Sequence, residues 1–297
     1  MKKTLAMMTA AMMVAGALAG CGSSSSTPAA TTAAATEAAT TAAATEAATT
    51  EAAGDTAAAA EGTVKTPSGK FTVGFDQEFP PMGFVGDDGQ FTGFDLDLAK
   101  EVASRLGLEF VPQPINWDAK DMELDSGNID CIWNGFTMQG REDDYTWVGP
   151  YMANNQVFVV TADSDIASKA DLAGKAVEVQ KDSSGLAALQ GEAELSASFG
   201  SMTEVADYNT ALMDLESGAC DAVCMDSIVA GYQIKSSGKD MKILDDTLSA
   251  EEYGIGFKKG EDELAKAVHD TLMDMKDDGT VAKISNDWFG SDVFTLK

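Results

Sequence analysis

Asn128-Ile129-Asp130-Cys131-Ile132-Trp133-Asn134-Gly135-Phe136-Thr137-Met138-Gln139-Gly140-Arg141 is the stretch on which the fold turns. Ile129, Cys131, Ile132 and Trp133 predict a short buried strand, an apolar run bounded by turn-forming residues. The run breaks at Asn134 and Gly135, and Thr137 and Arg141 follow. A strand ending this way suits a small anion. Glycine lets a ligand approach the backbone closely. Threonine offers a hydroxyl and a nearby N–H, and the guanidinium presents a planar fork matched to a carboxylate. An arginine in a surface ion pair after an ordinary strand satisfies the same spacing, so the rest of the chain must decide.

The 297 residues suffice for one two-lobed or two small domains. With 48 acidic against 20 basic residues, the net charge is −28. Such a surface repels nucleic acid and anionic lipid head groups, so neither is an expected partner. The single histidine, His269, argues against a histidine-rich metal site or a Ser-His-Asp triad. It lies beside Leu264, Val268, Leu272 and Met275, whose spacing places it on the outer face of a helix.

Lys2 and Lys3 precede an apolar run from Leu5 to Leu18, which reads as a secretion signal over residues 1–20. Thr9 and Gly16 interrupt the run, and it falls short of the ~20 residues of a membrane span. Its end, Leu18-Ala19-Gly20-Cys21, resembles the lipobox of bacterial lipoproteins, which implies lipidation (palmitate) of Cys21 and a membrane anchor on the extracytoplasmic face. A cleavable signal with a chance cysteine is the plainer alternative. Residues 21–64 are Ser-rich, then Ala/Thr/Glu-rich, with Thr36-Glu37-Ala38-Ala39-Thr40-Thr41 echoed by Thr45-Glu46-Ala47-Ala48-Thr49-Thr50. Nothing apolar beyond alanine offsets the ordering entropy, so a disordered tether is expected. As a flexible coil it would reach roughly 35–40 Å on average. The threonines argue against an alanine helix.

The folded part is expected to start near Gly69. Phe71–Asp76 reads as a strand, Gln77–Met82 as a loop held by Pro80 and Pro81, and Asp87-Asp88-Gly89-Gln90 as a hairpin turn. Gly93-Phe94-Asp95 opens a helix with Leu96, Ala99, Val102, Ala103 and Leu106 on one face, closing at Gly107. A strand at Leu108–Val111 and a helix over Asp118–Ser126 lead into the central strand. The order β-α-β-α-β predicts an α/β fold with a largely parallel sheet. Further on, Leu215-Glu216-Ser217-Gly218-Ala219-Cys220-Asp221 echoes Leu124-Asp125-Ser126-Gly127-Asn128-Ile129-Asp130. Each reads as helix end, glycine stop, aspartate, then buried strand, so two similar lobes are expected with strand ends facing a shared cleft. Ser183-Ser184-Gly185 after the strand Ala176–Val179 sits at a helix N-terminus, where free N–H groups suit an anion or serve an ordinary cap.

These segments together resemble a known family. Asp76-x-x-Phe79-Pro80-Pro81, Gly93-Phe94-Asp95-Leu96-Asp97-Leu98-Ala99, Ser126-Gly127-x-Ile129-Asp130, Asn134-Gly135-Phe136-Thr137 with Arg141, and Gly149-Pro150-Tyr151 are similar, in order and spacing, to the polar amino-acid-binding proteins of bacterial ABC importers. The resemblance runs from about Lys70 to the C-terminus. It implies a two-lobed periplasmic-binding-protein-like fold of type II, each lobe a mostly parallel sheet with flanking helices. Residues 65–157 and 250–297 would form one lobe and 158–249 the other. The chain would cross between them near Asn155–Val160 and Thr247–Gly254, the expected hinge.

A zwitterionic amino acid needs a cation for its carboxylate and an anion for its ammonium. The resemblance implies Arg141 for the carboxylate, with Thr137 and Ser184 as further donors. Asp226 is implied for the ammonium, with the Gly135 carbonyl beside it. Buried charges persist only when paired, and the ligand supplies the missing partners. Phe79 and Trp117 match positions that sandwich the ligand side chain, although plain core packing would place them equally well. Asp76, Asn134 and Gln180 lie where the family varies with side-chain preference. Asp76 favours a polar or basic ligand over an acidic one. One departure stands out: the threonine-to-arginine spacing is one residue shorter here than is usual in the family, and Gly140 is the residue to absorb it.

The resemblance implies a monomeric solute-binding lipoprotein, not an enzyme and without a cofactor or metal, delivering its ligand to ABC permease subunits. Two rivals remain open. One is an exported enzyme on the same fold, a prephenate-type dehydratase with Asp76 as acid or base. The other is a ligand-binding sensor for a membrane receptor. Cys131 and Cys224 read as small hydrophobes in strand interiors. Cys220 and Cys224 are poorly placed for a disulfide, and the odd count beyond Cys21 points to free thiols.

Overall fold

A continuously buried strand near the middle of the chain organises everything around it. In the computed structural model, which describes Thr66 and residues 68–297, this strand is β6, Cys131–Thr137, and all of its residues are buried. The expected signal, Cys21 and tether, residues 1–20 and 21–64, lie outside the described residues. The strand differs from the sequence reading at its end. It continues through Asn134 and Gly135 to Thr137, because it keeps a partner strand as far as Thr137.

The elements preceding it are β1 (Lys70–Phe75), β2 (Glu78–Phe79), β3 (Gly83–Val85), β4 (Phe91–Thr92), α1 (Phe94–Leu106), β5 (Glu109–Pro114) and α2 (Lys120–Ser126). The β5 strand starts one residue later and runs further than the apolar run Leu108–Val111 suggested, pairing with β1 to its end. A 3-10 turn at Trp117–Ala119 leads into α2. Acidic Asp95 and Asp97 open α1 and Arg105 lies in its last turn, both favourable to the helix dipole. Leu96, Leu98, Ala99, Val102 and Ala103 bury its inner face.

After β6 come β7 (Tyr145–Thr161), β8 (Ala176–Gln180), α3 (Ser184–Gly191), α4 (Ala193–Ser198), β9 (Ser201–Val205), α5 (Tyr208–Ser217), β10 (Ala222–Asp226), α6 (Ser227–Ser237), β11 (Met241–Ile243), β12 (Ser249–Lys258), α7 (Asp262–Asp277) and α8 (Thr280–Phe289). The main sheet has the order β5-β1-β6-β12-β7-β10-β8-β9, with β11 beside β7. Strands β5, β1 and β6 are parallel at one end, and β10, β8 and β9 are parallel at the other. Long antiparallel β7 and β12 join the two ends. Strand β7 pairs with β12 from Tyr145 to Gln156, then with β10 from Gln156 to Val159. The changeover is therefore at Gln156. The paired crossing segments are Ala153–Gln156 and Ser249–Glu252.

The sequence echo has a common structural reason. Gly127 and Gly218 end α2 and α5 in the left-handed conformation. Asp130 then accepts the Thr72 N–H of β1 at 2.6 Å, and Asp221 accepts the Ala176 N–H of β8 at 2.8 Å. In each case the aspartate fastens the neighbouring parallel strand. The C-terminal helices return to the first end: α7 and α8 pack on α1, Phe289 meets Phe94 with centroids 5.1 Å apart, and Trp288 donates to Asp97 at 2.9 Å. The three thiols Cys131, Cys220 and Cys224 are free and buried, and His269 is partly exposed on α7. No helix among the described residues is long and apolar enough to cross a membrane.

Candidate functional site

The carboxyl ends of β1, β6, β8 and β10 converge, as expected at the strand ends of an open α/β sheet. Phe79, Trp117, Gly135, Thr137 and Arg141 from one end, with Gln180, Ser183, Ser184 and Asp226 from the other, line one cavity of about 10 Å³. Arg141 to Asp182 and Gln180 to Asp76 are bonds that cross it from one end to the other. Eight of the ten residues singled out in the sequence are on its wall. The other two lie behind it. Asp76 accepts the Gln180 side-chain amide at 2.7 Å, and the Asn134 side-chain oxygen Oδ1 accepts the Asp76 N–H at 3.0 Å.

Gly135 is the point where β6 becomes a binding surface. Its φ is +57°, and a Cβ there would sit 2.9 Å from Phe79 and 3.1 Å from the Tyr253 ring. Only glycine takes this conformation freely and leaves the rings room. Its N–H donates to Asp95 Oδ2 at 2.7 Å. Asp95 also receives the Tyr151 hydroxyl at 2.8 and 2.9 Å, and burial pushes its carboxyl up to about 7. The first turn of α1 thus anchors the floor of the cleft from below.

Arg141 reaches the cleft despite the short loop. The turn closes through Arg141 N–H donating to Met138 at 3.0 Å, with Gly140 in the left-handed region at φ +79°. The guanidinium lies over Phe136, 5.1 Å from its ring centroid. It donates to the Thr137 carbonyl at 3.2 Å and, across the cleft, to the Asp182 carbonyl at 3.4 Å. Lys120, buried beneath, also bonds Asp182 through its ammonium and lies 5.2 Å from the Trp117 ring centroid. Trp117 is half-buried at the rim, whereas Phe79 is buried and stacks against Tyr208 at 5.8 Å.

Asp226 at the end of β10 receives Asn154 at 2.6 Å, Tyr253 at 2.7 Å and Tyr208 at 3.2 Å. Burial, then the nearby Glu251 carboxylate, push its carboxyl up to about 7. Burial also raises Asp76 to about 6. The sequence reading missed Glu251, Asn154, Gln156 and Tyr208. Glu251 was legible: strand alternation from Tyr253 puts residue 251 on the same buried face. Outward from Asp76 a groove of about 980 Å³ runs between the two ends, with Glu78, Asp118, Glu204 and Asp207 on its walls and Lys181 bonded to Asp118 at 2.7 Å.

The sequence model of the bacterial extracellular solute-binding proteins, family 3, matches residues 71–291. The L-cystine-binding protein TcyJ of Escherichia coli (strain K12) is 32% identical over 231 residues, covering 76% of this chain and 84% of that protein. A substrate-binding protein of an ABC uptake transporter from Streptococcus pneumoniae, solved with bound histidine, superposes with a TM-score of 0.74 at 34% identity, over 77% of this chain and 96% of that one. An ancestral arginine-binding protein bound to arginine gives a TM-score of 0.70 at 36% identity, over 75% and 99% of the two chains.

Proposed function

This chain belongs to the bacterial extracellular solute-binding proteins, family 3, and on that footing we propose that it captures a polar or basic amino acid between its two lobes for delivery to an ABC permease. It is an amino-acid-binding protein and not an enzyme, like the transport proteins it resembles. The observation that carries the ligand pose is the opposition of Arg141 and Asp226 across one cavity, with Thr137 and Ser184 beside them. Arg141 takes the ligand carboxylate, with Thr137 and Ser184 as donors. Asp226 takes the ammonium, aided by the Gly135 carbonyl. Phe79 and Trp117 flank the side chain, and Asp76, Asn134 and Gln180 set its polarity. Asp76 and Asp226 outnumber Arg141, which favours a ligand with a second positive charge over a neutral or acidic one.

Capture runs by hinge closure: residues 65–157 with 250–297 move against 158–249 about the crossing segments. What supports this is a cavity lined from both ends together with bonds that span it, such as Gln180 to Asp76. The lipobox-like Leu18-Ala19-Gly20-Cys21 supports a lipid anchor on Cys21, with residues 21–64 as the tether and the binding unit a monomer outside the membrane. A second reading, L-cystine, is favoured by the groove beyond Asp76, which offers room for a long ligand. Thermal melting against L-arginine, L-histidine, L-cystine and the remaining common amino acids tests both. A ligand that binds the native state alone raises the melting point. A rise with L-arginine or L-histidine supports the basic reading, one with L-cystine alone the second, and no rise with any contradicts both.

A further inference from the structure

Lys120 opens α2, and its side chain is 2% exposed. A lysine is almost never buried this far without a partner. Among the described residues, the hydrogen bonds of its ammonium all go to Asp182, on the turn between β8 and α3 at the opposite end of the sheet. One reaches the carboxylate, and the other reaches the main-chain carbonyl at 3.3 Å. The Trp117 ring lies beside it, with its centroid 5.2 Å away. The Asp182 side chain is 51% exposed. The pair is therefore a buried cation met by an exposed anion from across the cleft.

Asp182 has φ +55°, a left-handed conformation that aspartate and asparagine tolerate. Its neighbours fix the turn on their own side. Lys181 N–H donates to the Val205 carbonyl at 2.8 Å, and Ser183 Oγ accepts the Leu186 N–H at 3.1 Å. Asp182 adds the grip on the other side. Its carbonyl is shared by Lys120 and, at 3.4 Å, by Arg141. Arg141 and Ser184 both line the cavity, and Lys120 does not. The main chain at Asp182 thus sets the spacing between these two donors, and Lys120 holds that main chain without reaching the cavity.

Resting on the amino-acid reading and the closure described above, we propose that Lys120 is a positioning residue. Its ammonium locks the Asp182 turn against the Arg141 loop when the cleft shuts on a ligand, and so sets how slowly the ligand leaves. It touches no part of the ligand. When the ends part, both charges regain water. Breaking a buried pair from one side leaves the buried member uncompensated, which is the costly case. Loss of the carboxylate strands Lys120 in the shut cleft, whereas loss of the ammonium leaves an Asp182 that already faces solvent. Removing the charge of Asp182 should therefore hurt more than removing that of Lys120.

The test is stopped-flow measurement of L-arginine, L-histidine and L-cystine association and dissociation. It uses the full chain, its Asp182→Asn and Lys120→Met variants and the double variant. Asparagine keeps the left-handed turn, and methionine keeps an unbranched chain in the lysine's place. Asp182→Asn is expected to speed dissociation at least about tenfold, with association within about twofold of wild type. Lys120→Met speeds dissociation less. In the Lys120→Met background, Asp182→Asn then changes dissociation by less than about twofold, a coupling that a general loss of packing would not give. Two effects that simply multiply, as direct contact between Lys120 and the ligand would give, overturn this inference alone. So does a change confined to association. Absence of binding to all three ligands by the wild-type chain overturns the amino-acid reading and this inference with it.

Discussion

The Gln180 side-chain amide donates to the Asp76 carboxylate at 2.7 Å, joining the end of β8 to the end of β1 across the cleft. The same amide donates to the Ala206 carbonyl at 3.1 Å, which fixes its orientation. Glu78 N–H donates to Asp76 from the other side at 2.9 Å. Asp76 is therefore held in place before any ligand side chain meets it. Replacing Gln180 with Leu removes a donor from a buried carboxylate, and L-arginine binding should weaken by about 1–3 kcal/mol. Calorimetry checks this, and unchanged affinity would show that the bridge does not contribute to closure.

Arg141 and Asp226 carry the two charges of the proposed ligand pose. Arg141→Ala and Asp226→Ala should each weaken amino-acid binding by at least ~2 kcal/mol, since each leaves a ligand charge unpaired in a buried site. Wild-type affinity in either variant, measured by the same titration, would sink that residue's role.

Gly135→Ala places a methyl group 2.9 Å from Phe79 in a left-handed backbone. The expected cost is about 1–3 kcal/mol in stability from backbone strain and crowding. Affinity should fall with it, because the Phe79 ring must move to admit the methyl. Urea unfolding and calorimetry on the one variant read both effects. A variant as stable as the parent would mean that the two rings yield without cost.

The stability of the ligand-free protein should fall as pH rises through the neutral range. Burial raises Asp76 from 3.8 to about 6, and Asp95 and Asp226 from 3.8 to about 7. The folded state thus binds more protons than the unfolded state across this window, which gives stability a negative slope with pH. The contribution is complete below the ordinary carboxyl range and is lost as pH rises through about 6 and 7. Self-repulsion of the acidic surface acts in the same direction, so a variant is needed to isolate the buried groups. Urea midpoints should drop between about pH 5 and about pH 8, and Asp95→Asn should flatten the drop. A midpoint that rises over this range would contradict the assignment.

Asp130→Ala and Asp221→Ala each strip the partner from the first ladder N–H of a neighbouring strand, Thr72 or Ala176. The Asp130 change should cost about 1–3 kcal/mol and the more exposed Asp221 change less. Comparing the two unfolding midpoints tests whether the repeated aspartate has the same task at both ends of the sheet.

Short-range chemistry in the sequence determined much of this protein. The apolar run around Ile132 read as a covered strand, the glycines at 107, 127 and 218 as helix ends, and the repeated Ser-Gly-x-x-Asp as a sign of two similar halves. Those signals depend on backbone conformation and on burial of neighbouring side chains, which a local reading can follow. Thr137 and Arg141 were legible as a pair for the same reason: they are close in the chain, and Gly140 supplies the turn that a shorter loop requires. The tertiary structure alone decided which distant residues meet them. Glu251 reaches Thr137 and Ser184 because β12 and β7 cross between the halves side by side, with Glu251 opposite Asn154 and Gln156 two residues further along β7. Likewise, Asp76 meets Gln180 only because β1 and β8 point their ends at one cleft. Contacts of this kind depend on strand order and register over more than a hundred residues of chain, and no local propensity encodes them.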